Sequence, residues 1–389
     1  MARDIIESYE NGSDIVFVLR NTIDIRINKK LYQQMSKKHD QMEILSRFAP
    51  KSLRHHITQR ELVYVTKESG IPLIGHTAFG LIDRGTNVIQ VRPISGCNLN
   101  CIFCSVDEGK SRTRVTDYIV EVDYLVEEFE KLVELKGASK IEAHIDGQGE
   151  PFLYPYMIEL IDKLAGVKGV EVISAQTNGA PITSDFIKKV EGKLTRLNLS
   201  INSLDEKLAR GLAGTNSYDL EHVKQIAVEV AGSKIDLLLA PVWVPNWNDG
   251  EIERIIEFGL KVGAGKSSPA FGVQKYIKYP LGRRPRKTKI QTFKQFYSAL
   301  HKLELKYKVK LILKKEDFGI HKRVALKRVF RNGEVVELKL MERGRVRGEM
   351  LAVARDRVIQ VINTDKRLGS KVRVRILRSK DNIYVAEPL

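Results

Sequence analysis

Three cysteines, Cys97, Cys101 and Cys104, stand within eight positions in the spacing C-x3-C-x2-C, and the chain has no others. They follow directly on a strand-like run, VIQVRP, from Val88 to Pro93. Thiolates are the natural ligands of iron-sulfur clusters, and a short loop after a strand can wrap one cluster. A disulfide framework is a poor reading of an odd, tightly spaced set. A structural zinc site needs a fourth ligand, and no His or Cys follows within the loop. Three ligands on a four-iron cluster leave one iron open.

Regular elements must position such a loop, and from about Asn87 the sequence alternates short β-branched runs with amphipathic helical stretches. The strand candidates are Val88 to Pro93, Lys140 to Asp146, Gly169 to Thr177, Arg196 to Asn202, Ile235 to Val244 and Phe271 to Tyr276. Stretches such as VDYLVEEFEKLVELK and EIERIIEFGLKVG lie between them with apolar residues at helical spacing. Six strand-then-helix units in series imply parallel strands in a barrel or open α/β sheet, with function gathered in the loops after the strands. A helix-like TFKQFYSALHKLEL and a last strand, Lys308 to Lys315, complete this region. Residues 1–85 read as a mixed α+β extension, with strands at Ile15 to Leu19 and Ile23 to Ile27 and helical stretches around Tyr32 to Phe48. His55 and His56 are adjacent, so they cannot face one point on a regular element and read as surface histidines.

With these residues and elements assembled, the chain resembles the radical S-adenosylmethionine (SAM) superfamily. The cysteine motif with an aromatic, Phe103, before its last cysteine is that family's hallmark, and the six units match its partial (β/α)6 TIM-like barrel. The resemblance implies a [4Fe-4S] cluster on Cys97, Cys101 and Cys104 as the catalytic centre, with SAM chelating the open iron. Reductive cleavage of SAM would then give a 5'-deoxyadenosyl radical that removes a hydrogen from the substrate. Gly147, Gln148, Gly149, Glu150 and Pro151 look like the family's glycine-glutamate-proline motif, whose flexible backbone closes on the SAM amino group while Glu150 supplies charge. Gln148 stands where glycine is usual. Ser200 and Asn202 resemble the polar residues that contact the ribose or the methionine carboxylate, and alternation on a strand puts both on one face. Arg210 is a candidate partner of the SAM carboxylate. Thr177, Asn178 and Gly179 resemble a turn of many members, and Asn-Gly reads first as a structural tight turn.

Charge divides the chain sharply. Residues 1–280 hold 35 Lys and Arg against 37 Asp and Glu, whereas residues 281–389 hold 30 against 11. A general surface enrichment would bring acidic partners along, so the segregation points to a polyanion surface. The loop with Arg283, Arg284, Arg286, Lys287 and Lys289 follows the sixth strand and should lie at the barrel mouth, where it can track RNA phosphates. Residues 316–389 carry 18 basic against 10 acidic side chains and break into short alternating segments at Asn-Gly and Arg-Gly turns, the pattern of a small all-β barrel. That segment resembles the TRAM domain, an OB-like RNA-binding barrel. The expected division is therefore 1–85 extension, 86–315 core barrel and 316–389 RNA-binding barrel.

Three cysteines leave no thiolates for a second cluster or for a methyl-carrying cysteine, which excludes the methylthio-transferring and cysteine-methylating relatives. The reading is a single-cluster enzyme that modifies RNA, with a tRNA nucleoside as substrate and ferredoxin or flavodoxin as electron donor. The alternatives are radical chemistry on a protein or cofactor precursor, and a non-catalytic iron-sulfur RNA-binding protein. No run of about 18 apolar residues is present, and MARDIIESYENG lacks the order of a secretory signal. A soluble, cytoplasmic protein with no membrane partner is expected.

Overall fold

The computed structural model describes residues 5–389, with side chains described for all of these except residues 5, 6 and 49–52. Residues 1–4, the start of the segment read for a signal, lie outside the described residues. Among the described residues no helix is long and apolar enough to cross a membrane.

The chain opens with an antiparallel meander. Strand Asp14–Leu19 turns back into Ile23–Asn28 through Arg20 and Asn21, whose φ of 46° and 55° give the left-handed pair that a tight hairpin takes. Leu53–His55 and Glu61–Val65 extend this sheet, and Thr116–Val120 joins it as a parallel neighbour of Glu61–Val65. Helices Lys29–Met35 and Gln41–Ser52 start where Asn28 and Asp40 accept hydrogen bonds from first-turn amides.

The core sheet runs Gly80–Asp83, Val88–Arg92, Ile141–Ile145, Val170–Thr177, Arg196–Leu199 and Asp236–Leu239 in spatial order. The first pair is antiparallel and the others are parallel. Ile141, Ala143 and Ile145 join the main apolar core, which also takes the buried faces of helices such as Val122–Leu135, Met157–Gly166 and Leu220–Gly232. Alternation puts polar groups on the other face: Arg196 pairs there with Glu142 at 2.6 Å and Arg92 with Asp146 at 2.9 Å. This is the mostly parallel α/β layer that the sequence pattern implies, and it fits the partial barrel that the resemblance implies.

Several elements differ from the reading above. Gly80–Asp83 belongs to the core sheet and Thr116–Val120 to the N-terminal sheet, so the two layers interleave across residue 85. The sixth strand is reduced to Gln274–Lys275 paired with Val242–Trp243, plus a bridge from Leu239 to Phe271. Residues 308–314 form no strand, because the Glu304 carboxylate, beneath the end of helix Phe293–Tyr307, takes the amides of Leu311 and Ile312 at 2.8 Å each. His55 is fully buried rather than at the surface.

The expected C-terminal barrel is present. Val335–Arg343, Met350–Ala354, Arg357–Val361, Lys371–Arg378 and Val385–Pro388 close into a five-stranded barrel around its own core of residues such as Leu340, Ile359, Val374 and Tyr384. The segment 324–330, ahead of the first barrel strand, is irregular. Along Lys371–Arg378, Val372, Val374 and Ile376 point in while Lys371, Arg373 and Arg375 point out to solvent.

Candidate active site

The loop carrying the cysteines leaves the core sheet at Arg92 and enters the N-terminal sheet at Thr116. Gly96 accepts a hydrogen bond from Glu150 N (2.8 Å) and donates to Gln148 O (3.2 Å), so this loop and the Gly147–Pro151 loop are laced backbone to backbone. A Cβ on Gly149, at φ +136°, would come 1.9 Å from Gly96 O, which explains why a glycine stands there. Helix Glu206–Ala213 holds the loop from below: Asn100 N and Ile102 N donate to Ala213 O and Leu212 O.

All three cysteines line one cavity of about 560 Å³, a size suited to a bound cofactor and part of a substrate. Leu99 N donates to Cys97 Sγ (3.4 Å) and Glu108 N to Cys104 Sγ (3.3 Å), the backbone support that a thiolate ligand takes. Burial pushes the Cys97 thiol well up, helped by Cys101 and Glu150, and burial with Cys104 pushes Cys101 up to about 12. Buried thiols such as Cys97 and Cys101 become thiolates only against a strong compensating charge, which an iron cluster provides. Among the described residues no group of His, Cys, Asp and Glu is gathered for one metal ion. The chemistry of the donor set, three cysteines of one short loop lining one cavity, is that which an iron-sulfur cluster takes.

Gly147, Gly149, Glu150, Ser200, Asn202 and Phe103 line the same cavity, as the motifs imply. Ser200 Oγ accepts from Gln176 Nε2 (2.7 Å), and Asn202 Oδ1 accepts from Val242 N (2.8 Å). Glu150 is also tied to the neighbouring turn. Its carboxylate accepts from Asn178 N (2.7 Å), Thr177 Oγ1 (2.8 Å) and Phe152 N (3.0 Å), and burial lifts it to about 7. The side chain of Gln148 turns to Thr77 Oγ1 (2.9 Å), and Pro151 opens a short 3-10 turn. Arg210 is not brought to the cavity; it pairs with Glu206 at 2.7 Å on the exposed side of its helix.

Arg283 departs from its reading as an RNA contact. Its Nε donates to Asp107 (2.7 Å), its Nη1 to Cys101 O (3.1 Å) and its backbone N to Cys104 O (2.8 Å), so it staples the cysteine loop. Arg284, Arg286, Lys287 and Lys289 are exposed.

Sequence reasoning missed the buried charges behind the loop. Arg345, from the C-terminal barrel, is fully enclosed and bonds to Ser95 Oγ and Thr116 O (2.7 Å each), Asp117 Oδ1 (2.5 Å) and the Glu108 carboxylate. Arg60 reaches the same Glu108 and Asp117 at 3.3 and 3.2 Å. Burial alone would raise Asp117, but Arg345, His55 and Arg60 overcome it and hold the carboxyl at about 2. Buried His55, packed where a Cβ on Gly96 would stand 2.8 Å from its ring, is pushed down to about 4 by desolvation. Thr177 and Asn178, read as a turn, also line the cavity, and Asn178 Nδ2 donates to Asn98 Oδ1 (2.8 Å) beside Cys97.

Comparison with known proteins agrees with this site. Residues 91–259 match the family model for the Radical SAM superfamily. An uncharacterized protein of Methanocaldococcus jannaschii is 46% identical over 369 residues, covering 89% of this chain and 85% of that protein. The GTP 3',8-cyclase of Chlorobaculum tepidum is 23% identical over 193 residues, 50% of this chain and 55% of that enzyme, so the chain spans about half its length. Among solved structures, SuiB of Streptococcus suis aligns with a TM-score of 0.43 at 14% identity, covering 79% of this chain and 70% of that one. Residues 91–259 are thus a radical SAM domain, of a family that uses a [4Fe-4S] cluster and SAM.

Proposed function

We propose that the protein is a single-cluster radical SAM enzyme that modifies RNA in the cytoplasm, with a tRNA nucleoside as substrate and a ferredoxin or flavodoxin as electron donor. The rim of the cavity carries this reading. The chain leaves the cavity wall at Tyr279 and returns to it at Phe293, and between them Arg284, Arg286, Lys287 and Lys289 are exposed. Trp247 Nε1 and Asn246 Nδ2 donate to the carbonyls of Arg286 and Lys287 at 2.9 and 2.8 Å, which orders the loop that presents these cations. Cations held around a mouth favour a polyanion through counterion release. A TRAM-like role for the C-terminal barrel is supported by the outward row Lys371, Arg373 and Arg375.

When bound, the cluster and SAM supply a 5'-deoxyadenosyl radical able to take a hydrogen atom from a substrate carbon. Cys97, Cys101 and Cys104 would hold the cluster, and the Gly147–Glu150 loop with Ser200 and Asn202 would hold the polar groups of SAM. Phe103, Tyr218 and Val273 wall the cavity with apolar surface and limit water there. With no further cysteine, the outcome is rearrangement, cleavage or addition without a second thiolate-bound cluster.

Nucleoside profiles of tRNA and rRNA from cells with and without the gene test the reading. One nucleoside missing from the deleted strain is expected, and identical profiles count against it. A second reading, a free nucleotide as substrate, is favoured by the similarity to GTP 3',8-cyclases. Binding of tRNA by the full chain separates the two, because steep salt dependence is expected only for the polyanion.

A further inference from the structure

The outer half of the cavity is walled by aromatic rings that the cofactor residues leave unused. Phe293 and Tyr297 stand one helical turn apart on helix Phe293–Tyr307, 57% and 45% exposed, with ring centres 6.2 Å apart and planes 24° from parallel. Tyr279, 46% exposed, lines the cavity with them. The ledge is braced from beneath: Tyr297 meets buried Phe296 edge-on at 5.5 Å, and Phe296 meets buried Trp243 at 6.1 Å. Lys275 Nζ lies 4.9 Å from the Phe293 ring centre. Of the acidic side chains lining the cavity, Glu108 is paired with Arg345 and Arg60, and Glu150 accepts from Thr177 Oγ1 and Asn178 N.

Rigid rings held in water beside a lysine and an exposed basic loop suit a ligand that is planar and anionic at once. A peptide side chain would use the rings and leave the cations idle. A nucleotide uses both, since every base has a π-face and every phosphate a charge. We infer that this ledge seats one unpaired base of the RNA substrate, stacked on Phe293 and Tyr297 with Lys275 on its phosphate. The inference rests on the RNA reading above and adds to it the entry point: a base leaving its helix to reach the cavity passes over these rings.

The test is binding of total tRNA from cells lacking the gene to the full-length reconstituted protein, across a salt series, with SAM binding measured in parallel. Phe293→Ala is expected to weaken tRNA binding about 5- to 100-fold with an unchanged salt slope, and Phe293→Trp to restore it. Lys275→Gln is expected to lower the salt slope by about 1. Unchanged tRNA affinity in both Phe293→Ala and Tyr297→Ala overturns the ledge while leaving the RNA reading intact. SAM affinity falling in step with tRNA affinity overturns it too, because the rings would then hold the cofactor's adenine. Failure of the unaltered protein to bind tRNA overturns both readings.

Discussion

Cys97, Cys101 and Cys104 were legible because type and spacing alone define their chemistry, whereas the charges that support them were not. Arg283 sits in a run of cations, and nothing local to that run distinguishes the one arginine turned inward onto Asp107 and the Cys101 carbonyl from its exposed neighbours. Its replacement should therefore act on the cluster: Arg283→Gln is expected to retain less iron after anaerobic reconstitution, while Arg286→Gln keeps iron and loses tRNA affinity. Iron and sulfide assays beside a binding titration check this, and equal iron retention in the two variants would contradict it. Glu150 gives a second prediction. Its folded value of about 7 lies above the unfolded value near 4.3, so its contribution is complete below about pH 4 and is lost as pH rises through 7. His55, depressed to about 4, runs the other way: its contribution is complete above about 6.5 and is lost as pH falls toward 4. Between pH 5 and 7 the metal-free Glu150→Gln protein should gain on wild type by up to about 1.4 kcal/mol per pH unit, read from urea midpoints. Parallel curves would show that this carboxyl does not titrate so.

At the scale of elements, periodicity located the parallel strands because alternate residues such as Ile141, Ala143 and Ile145 must face the helices. It failed where a side chain competes for the backbone: KVKLILKK has a strand's composition, but Glu304 takes two of its amides. The sixth strand was half right, since only two of its residues find a ladder. Asn-Gly at 178–179 was a turn, as read, but a turn whose amide anchors Glu150 and whose side chain reaches the cysteine loop. The junction of the two cofactor loops is the tightest element contact. Gly149→Ala forces a Cβ onto Gly96 O at a backbone angle alanine rarely adopts, and should cost about 2–4 kcal/mol. Chemical denaturation of the metal-free variant measures this; a loss under about 0.5 kcal/mol would mean that the loops are not laced as described.

For the molecule as a whole, the charge segregation foretold a distinct basic barrel but not how it is fastened. Arg345 reaches from that barrel to Asp117, 228 residues away in sequence, and pairs also with Glu108, whose amide supports Cys104. No short-range pattern encodes such a contact. The barrel is thus a structural partner of the cysteine loop as well as the proposed RNA platform. Arg345→Ala leaves two buried carboxylates short of a partner and should destabilise the protein by about 3–5 kcal/mol, with Arg345→Lys recovering part of the loss. The central claim is that one cluster on three cysteines drives radical chemistry on RNA. Its most direct test is mass spectrometry of products after the reduced, reconstituted protein is incubated anaerobically with SAM and tRNA from cells lacking the gene. The account predicts 5'-deoxyadenosine together with one altered nucleoside, both absent with Cys101→Ser; 5'-deoxyadenosine formed while every tRNA nucleoside stays unchanged would contradict it.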